Sequence, residues 1–194
     1  MGELKTLQDT SSGQTVAGGD VPGAASGLRP TRAWAVLGID PGVHGAVALI
    51  LAWPGRHRPQ LGELVDVSNR AAWWQLIPEA DLVVVEGQQA SPQMGVSSAF
   101  RLGQAYGGVL EAVEAGARGQ TVIAYPTGWR GSYGLPGGEK GKVAGIALAE
   151  QLIEGSRRAV RRHDQADAVL LAWWGWRKHL LARAMQELQA AGES

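Results

Sequence analysis

The segment DLVVVEG at 81–87 constrains the fold more than any other part of this 194-residue chain. It is a nearly continuous run of apolar, mostly β-branched residues, which is typical of a strand that is buried on both faces. The run ends in an acid, Glu86, at the point where the strand would reach the surface. A strand of this kind belongs inside a sheet, so the chain is expected to build an α/β domain around it.

Other apolar runs supply the rest of this sheet. Three strands precede a first helix, and strands and helices then alternate, which gives the order βββαβαβαα. This order predicts a five-stranded mixed sheet whose first three strands are antiparallel, followed by parallel crossovers. The predicted strands are 34–40, 45–53, 61–67, 81–87 and 121–126, and the predicted helices are 71–77, 97–116, 143–153 and 164–189.

The predicted domain does not extend over the whole chain. Residues 1–32 are rich in Gly, Ser, Thr and Pro and lack aromatic residues, so they predict a disordered tail. A single domain is expected over 33–182, and 183–194 form the end of the last helix and a short tail. The tail resembles neither a secretory signal nor a transit peptide, no apolar run is long enough to span a membrane, and cysteine is absent. These features predict a cytoplasmic protein.

Four acids stand where an α/β fold places functional groups. Asp40 ends the first predicted strand and Glu86 the fourth, and strand carboxyl ends are where open sheets build their sites. Asp164 and Asp167 lie three residues apart, so they project from one face of the last helix. If that helix packs across the sheet, the four carboxylates converge. Their mutual repulsion would then require a hard divalent cation such as Mg²⁺, and a pair of ions could cleave a phosphodiester.

Each acid also has an ordinary structural interpretation. Asp40 precedes Pro-Gly and could be a turn residue, and Glu86 could be a solvated charge. Asp164 and Asp167 could cap a helix and favour its dipole, and His163 could be a loop residue. The joint pattern of the four acids on this strand order favours the functional interpretation.

The basic residues are segregated, although the chain carries 18 basic and 18 acidic residues in total. Between 126 and 183 there are ten Lys and Arg against five Asp and Glu, and two of those five acids are candidate metal ligands. A basic rim beside acidic metal ligands is what a nuclease requires, because cations grip the phosphates while metals do the chemistry. Gly-rich segments around Lys140 and Lys142 are expected to form a loop that lets the backbone approach a phosphate.

Several motifs resemble the RuvC family of Holliday junction resolvases, which have an RNase H-like fold. They occur in family order over residues 35 to 175, and YPTGWRGSYGL further resembles phage-type and organellar members. The matching segments are LGIDPG (37–42), VVVEG (83–87), SSAFRLGQAYG (97–107), the EK of GGEKGK (139–140) and DQADAVLLA (164–172).

The resemblance implies a crossover junction endodeoxyribonuclease, in a bacterium or a phage. The metal-binding acids of the family would fall on Asp40, Glu86, Asp164 and Asp167, with two Mg²⁺ ions per site for which Mn²⁺ could substitute. The functional lysines would fall on Lys140 and Arg130. We expect the catalytic set to be Asp40, Glu86, Asp164, Asp167 and Lys140, and the DNA-binding set to be Arg130, Lys140, Lys142, Gln88, Gln89, Arg101, Arg161 and Arg162.

The partners that the resemblance implies are branched DNA and a second copy of the chain. The helix at 97–116 would supply much of the dimer contact, and a branch-migration helicase is a candidate third partner. The sequence departs from the family at Gln89, where an aromatic wedge often stands, so Met94 or Phe100 would have to meet the bases instead.

Three other functions remain open at this stage. The closest is another nuclease of the same fold that cuts RNA–DNA hybrids or other branched DNA. A second is an actin-like phosphotransferase, but Val43-His44 lack the hydroxyl groups of such phosphate loops and the chain lacks room for a second lobe. The third is a non-catalytic nucleic-acid binder, which would gain nothing from the four acids.

Overall fold

The computed structural model describes residues 32–53 and 55–192, so nearly all of the predicted tail at 1–32 lies outside the described residues. Its centre is a five-stranded sheet of order β3-β2-β1-β4-β5, in which β1, β2 and β3 are antiparallel and β4 and β5 run parallel to β1. The strands are β1 Trp34–Ile39, β2 Ala46–Ala52, β3 Gln60–Asp66, β4 Leu82–Glu86 and β5 Gln120–Ala124.

Six α-helices accompany the strands in the described part of the chain. They are α1 Arg70–Trp74, α2 Val96–Gly116, α3 Pro126–Trp129, α4 Gly138–Leu152, α5 Ser156–Ala159 and α6 His163–Gly192. Short 3₁₀ turns follow α1 and α3. The mixed sheet, its antiparallel first half and its parallel crossovers confirm the predicted RNase H-like fold.

A helix boundary that bears on the site was predicted wrongly. The segment before 143 was expected to be a Gly-rich loop, but α4 begins at Gly138 and carries both Lys140 and Lys142. The ammonium of Lys142 lies 2.6 Å from Glu139 in the first helical turn. A side chain at Gly141 would place its Cβ 1.9 Å from the carbonyl oxygen of Pro136. The glycine therefore allows close packing at this point of a helix and does not provide a flexible loop.

The two faces of the sheet bury separate cores. On the first, which we call the α6 face, α4 and α6 cover the side chains of alternate strand residues, and on the second, the α2 face, α1 and α2 cover the others. The buried residues of the α6 face include Val36, Ile50, Leu82, Val84, Trp129, Val169 and Leu170. Those of the α2 face include Leu37, Ile39, Val83, Val85, Trp73, Val109 and Val113.

Helix α6 lies directly against the middle of the sheet. A Cβ atom at Gly38 in β1 would be 2.1 Å from the backbone oxygen of Ala168, so only a glycine permits this approach. The first turns of α6 are thereby held beside the carboxyl ends of β1 and β4. None of the helices in the described ranges combines the length and the apolar character that crossing a membrane requires.

Candidate active site

Two of the predicted acids lie side by side at the edge of the sheet. The parallel register of β1 and β4 pairs Gly38 with Val84 and Ile39 with Val85, so Asp40 and Glu86 follow as the next pair. Because side chains alternate along a strand, both acids fall on the same face as Gly38 and Val84, which is the α6 face. Asp40 is 7% exposed and Glu86 is 8% exposed.

The other two acids come from the start of α6. Asp164 and Asp167 lie one turn apart, and the packing of α6 at Gly38 brings this turn to the ends of β1 and β4. Asp167 is buried at 9% exposure, whereas Asp164 is partly exposed and its Oδ1 lies 2.9 Å from Nε2 of His163. The structure therefore brings the four predicted acids together at one edge of the sheet.

Neighbouring hydrogen bonds fix the two strand-end carboxylates. The indole Nε1 of Trp129 donates to Oε1 of Glu86 at 3.1 Å, and the amide of Gln88 donates to Oε2 at 2.9 Å. The backbone N–H of Gly42 donates to Oδ1 of Asp40 at 2.9 Å, as the Pro-Gly turn allows. Both acids are thus oriented before any ligand arrives.

The environment opposes the ionisation of three of these acids. Burial, together with the charges of Asp40 and Asp167, raises the pKa of Glu86 to about 7, against the hydrogen bonds from Trp129 and Gln88, which favour the ionised form. Burial also raises the pKa of Asp40 to about 6, with Asp167 and Asp164 acting in the same direction. The pKa of Asp167 likewise rises to about 6 through burial, although Arg130 favours its ionised form. The acids therefore form one coupled cluster with too little positive charge around it.

Arg130 provides most of the local compensation. Its Nη1 lies 2.7 Å from both carboxylate oxygens of Asp167, and its guanidinium stacks over the Trp129 ring at 5.2 Å from the centroid. The sequence predicted Arg130 as a DNA-binding residue, and the structure shows it paired with one of the acids.

The donor set suits a hard divalent cation, because carboxylate oxygens short of positive charge are the ligands that Mg²⁺ and Mn²⁺ prefer. As the side chains stand, no three His, Asp or Glu groups among the described residues are close enough together to hold an ion. Both oxygens of Asp167 are engaged by Arg130. The carboxylates therefore fit a divalent metal ion by their chemistry, while Arg130 engages the one from Asp167 in this arrangement.

The remaining residues that the sequence predicts for the site differ in their exposure to solvent. Lys140 and Gln89 are exposed, and Lys142 is partly buried and paired with Glu139. Gln88 is partly exposed, and its amide donates to Glu86. Arg162 forms an ion pair with Asp66 at the end of β3.

Two grooves flank the turn that carries Asp40. The first, of about 580 Å³, is lined by basic residues of α4 and of the segment just before α6, by the acids Glu139 and Asp164, and by His44 of the turn. The second, of about 300 Å³, lies between this turn and α2 on the opposite side. The basic residues of the first groove are Lys142, Arg161 and Arg162, and those of the second are Arg70 and Arg101.

Sequence reasoning missed two contributors to the site. Trp129 was noted only as part of a motif, yet its buried indole holds Glu86. Arg70 was not predicted as a site residue, but it lines the second groove with Arg101. The Trp-Arg pair after the last strand was the available signal for Trp129, but a sequence pattern does not show which acid an indole N–H will reach.

Comparisons with known proteins bear on the fold. No protein-family model matches the chain, and no curated protein matches it. Among solved structures, the chain is similar to a Thermus thermophilus RuvC structure, with 24% identity and a TM-score of 0.49 over 72% of this chain and 92% of that one. It is also similar to T. thermophilus RuvC in complex with Holliday junction substrate, with 24% identity and a TM-score of 0.48 over 72% of this chain and 91% of that one. At this identity the likeness concerns the fold alone.

Proposed function

We propose that this protein is a metal-dependent endonuclease that cuts four-way DNA junctions as a homodimer. The observation that carries the proposal is the cluster of Asp40, Glu86, Asp164 and Asp167 at the carboxyl ends of β1 and β4. Three of these acids are almost completely buried, and their pKa values are raised by burial and by one another. Such a cluster destabilises the fold, so it needs a function that uses the carboxylates.

The four acids would hold the divalent ions, of which we propose two per site with Mg²⁺ or Mn²⁺ as the metal. When bound, such ions supply activation of the attacking water and stabilisation of the leaving oxygen in phosphodiester hydrolysis. The chain's own part is orientation: Trp129 and Gln88 hold the two oxygens of Glu86, and Gly42 holds Asp40. Lys140, exposed in the first turn of α4, would neutralise charge on the scissile phosphate in the transition state.

The two grooves beside the Asp40 turn suit the DNA backbone. Each offers cations next to an acidic centre, so phosphates on either side of a scissile bond could be gripped while that bond lies over the acids. Arg101 would act in the second groove, and Lys142, Arg161 and Arg162 in the first. Gln89, which is exposed just beyond Glu86, would face the bases.

The proposal of a homodimer rests on helix α2. The N-terminal half of this helix exposes large apolar side chains, with Val96 88% and Phe100 65% exposed. A second copy packed there would cover them, and it would place two active sites against one four-way junction. This arrangement favours paired cuts. T. thermophilus RuvC, which is similar to this chain in fold, has been seen in complex with Holliday junction substrate. A branch-migration helicase as partner stays a prediction from the sequence resemblance.

The direct test is the cleavage of a synthetic mobile four-way junction in Mg²⁺, beside a linear duplex, a splayed fork and an RNA–DNA hybrid. Wild type should make paired, symmetric nicks in the junction alone. Asp40→Asn and Glu86→Gln should reduce this cleavage by at least about 10²-fold, because each removes a metal ligand. Glu63→Gln, an exposed carboxylate of β3, is the matched control and should cut like wild type.

Two results would contradict the proposal in different ways. Preferential cleavage of the hybrid would assign the same metal chemistry to an RNase H-type enzyme and would overturn the junction specificity. Junction binding without cleavage in Mg²⁺ or Mn²⁺ would instead indicate a non-catalytic DNA binder.

A further inference from the structure

The ion pair between Arg130 and Asp167 differs from the other ion pairs among the described residues. Its side chains are 23% and 12% exposed, whereas each of the others includes a partner that is at least 41% exposed. One guanidinium nitrogen contacts both carboxylate oxygens at 2.7 Å. Removing one partner of a pair that is largely withdrawn from solvent costs more than removing a partner of a surface ion pair, because it leaves an uncompensated charge.

The surroundings of Arg130 hold its guanidinium in this position. Trp129 lies beneath it, and the same indole donates to Glu86, so one tryptophan contacts both the arginine and a second acid. In α4, Gly141 leaves room for the guanidinium, because a Cβ atom at this position would lie 3.3 Å from Nη2 of Arg130. The arginine is therefore held against Asp167 by contacts with three helices, α3, α4 and α6.

This placement conflicts with metal binding at the same carboxylate. A divalent cation on Asp167 would have to share the carboxylate with the guanidinium that already contacts both of its oxygens, and two positive groups at one carboxylate repel each other. We propose that Arg130 is an internal counter-ion which occupies Asp167 until a divalent cation replaces it, and which is then free to bind a phosphate oxygen of the DNA. This inference rests on the proposed function, because it takes the acids to be the metal ligands.

The exchange would couple the binding of metal to the binding of DNA. While Arg130 is paired with Asp167, its guanidinium is not available to the DNA, and the carboxylate of Asp167 is not available to the metal. Once the ion binds, the guanidinium is released at the edge of the site and can form a bidentate contact with a phosphate. By linkage, a phosphate that captures Arg130 must strengthen metal binding by the same factor.

The test measures Mn²⁺ binding to the full chain without DNA, by electron paramagnetic resonance of free Mn²⁺. Arg130→Gln removes the competitor, so its Mn²⁺ dissociation constant should fall by roughly 5–10-fold relative to wild type. Arg130→Lys should lie between the two, because an ammonium keeps the charge but not the planar geometry. Arg118→Gln, an exposed arginine just before β5 at the opposite edge of the sheet, is the charge-matched control and should stay within about twofold of wild type.

Thermal unfolding gives a second readout that needs no catalysis. In EDTA, Arg130→Gln leaves Asp167 without a partner and should melt roughly 4–8 °C below wild type. Saturating Mn²⁺ should remove most of that difference, because the ion takes over the role of the guanidinium. A purely structural role would leave the difference unchanged by metal.

The outcomes separate this inference from the proposed function. Equal or weaker Mn²⁺ binding by Arg130→Gln, with normal binding by wild type, would overturn the exchange and leave the metal site intact. No Mn²⁺ binding by either protein would overturn the metal site and the exchange together. A third measurement uses Ca²⁺ to observe junction binding without cleavage. Ca²⁺ should tighten junction binding several-fold more for wild type than for Arg130→Gln. Equal tightening for both proteins would contradict the release of Arg130 to the DNA.

Discussion

The two faces of the sheet are covered very differently. On the α6 face, a long helix lies so close to β1 that Gly38 has no room for a side chain, and this packing brings Asp164 and Asp167 to the strand ends. On the α2 face, the helix buries Val109 and Val113 in its second half and leaves Val96 and Phe100 exposed in its first half. One face therefore fixes the geometry of the site, while the other keeps apolar surface that a partner could cover.

The largest effect is expected where α6 meets the sheet. Gly38→Ala would place a Cβ 2.1 Å from the backbone oxygen of Ala168, so helix and sheet must separate. We expect a loss of about 3 kcal/mol or more in the free energy of unfolding, measured with urea. We also expect Asp164 and Asp167 to move away from the ends of β1 and β4. Gly103→Ala is the matched control on α2, where the added methyl group meets open space. This control should raise the free energy of unfolding by less than about 1 kcal/mol. Equal losses in the free energy of unfolding for both variants would contradict the contrast between the two faces.

The sequence predicted the individual strands and helices better than the contacts between them, for a physical reason. Alternating apolar residues, Asp40 and Glu86 at strand ends, and Asp164 and Asp167 at helical spacing are local patterns that a sheet and a helix translate directly into positions. The interaction of Arg130 with Asp167 and that of Trp129 with Glu86 are contacts between elements that no local pattern encodes. The Gly-rich segment before 143 was misjudged because glycine there serves close packing at Gly141, while Glu139 and Lys142 support a helix.

The second prediction concerns the cost of burying acids on the α6 face. Glu86 has a pKa of about 7 in the folded chain, above its ordinary value of 4.5, so the folded state binds more protons than the unfolded state between these limits. The stability contributed by protonated Glu86 is therefore lost as the pH rises from about 4.5 to 7. In EDTA, Glu86→Gln should match wild type near pH 4.5 and exceed it by on the order of 2 kcal/mol at pH 8.

The measurement is urea unfolding at a series of pH values. Asp40 and Asp167, whose pKa values are also raised, remain in both proteins, so the difference between the two curves reports Glu86 together with its coupling to these two acids. Glu63→Gln should follow wild type throughout. Parallel curves for Glu86→Gln and wild type would mean that Glu86 ionises as freely in the folded chain as in the unfolded one.

The smallest effect on the folded monomer is expected on the exposed half of α2. Phe100→Ser removes a large apolar side chain that is 65% exposed, so the free energy of unfolding at low protein concentration should change by less than about 0.5 kcal/mol. The same change should weaken self-association at least about 10-fold in sedimentation, because a buried aromatic residue commonly dominates an interface. Ser98→Ala, on an exposed position of the same helix, tests whether any alteration of α2 has this effect. A stable dimer in the Phe100→Ser protein would place the partner elsewhere, and the apolar half of α2 would then need another explanation, such as contact with unpaired bases at the junction.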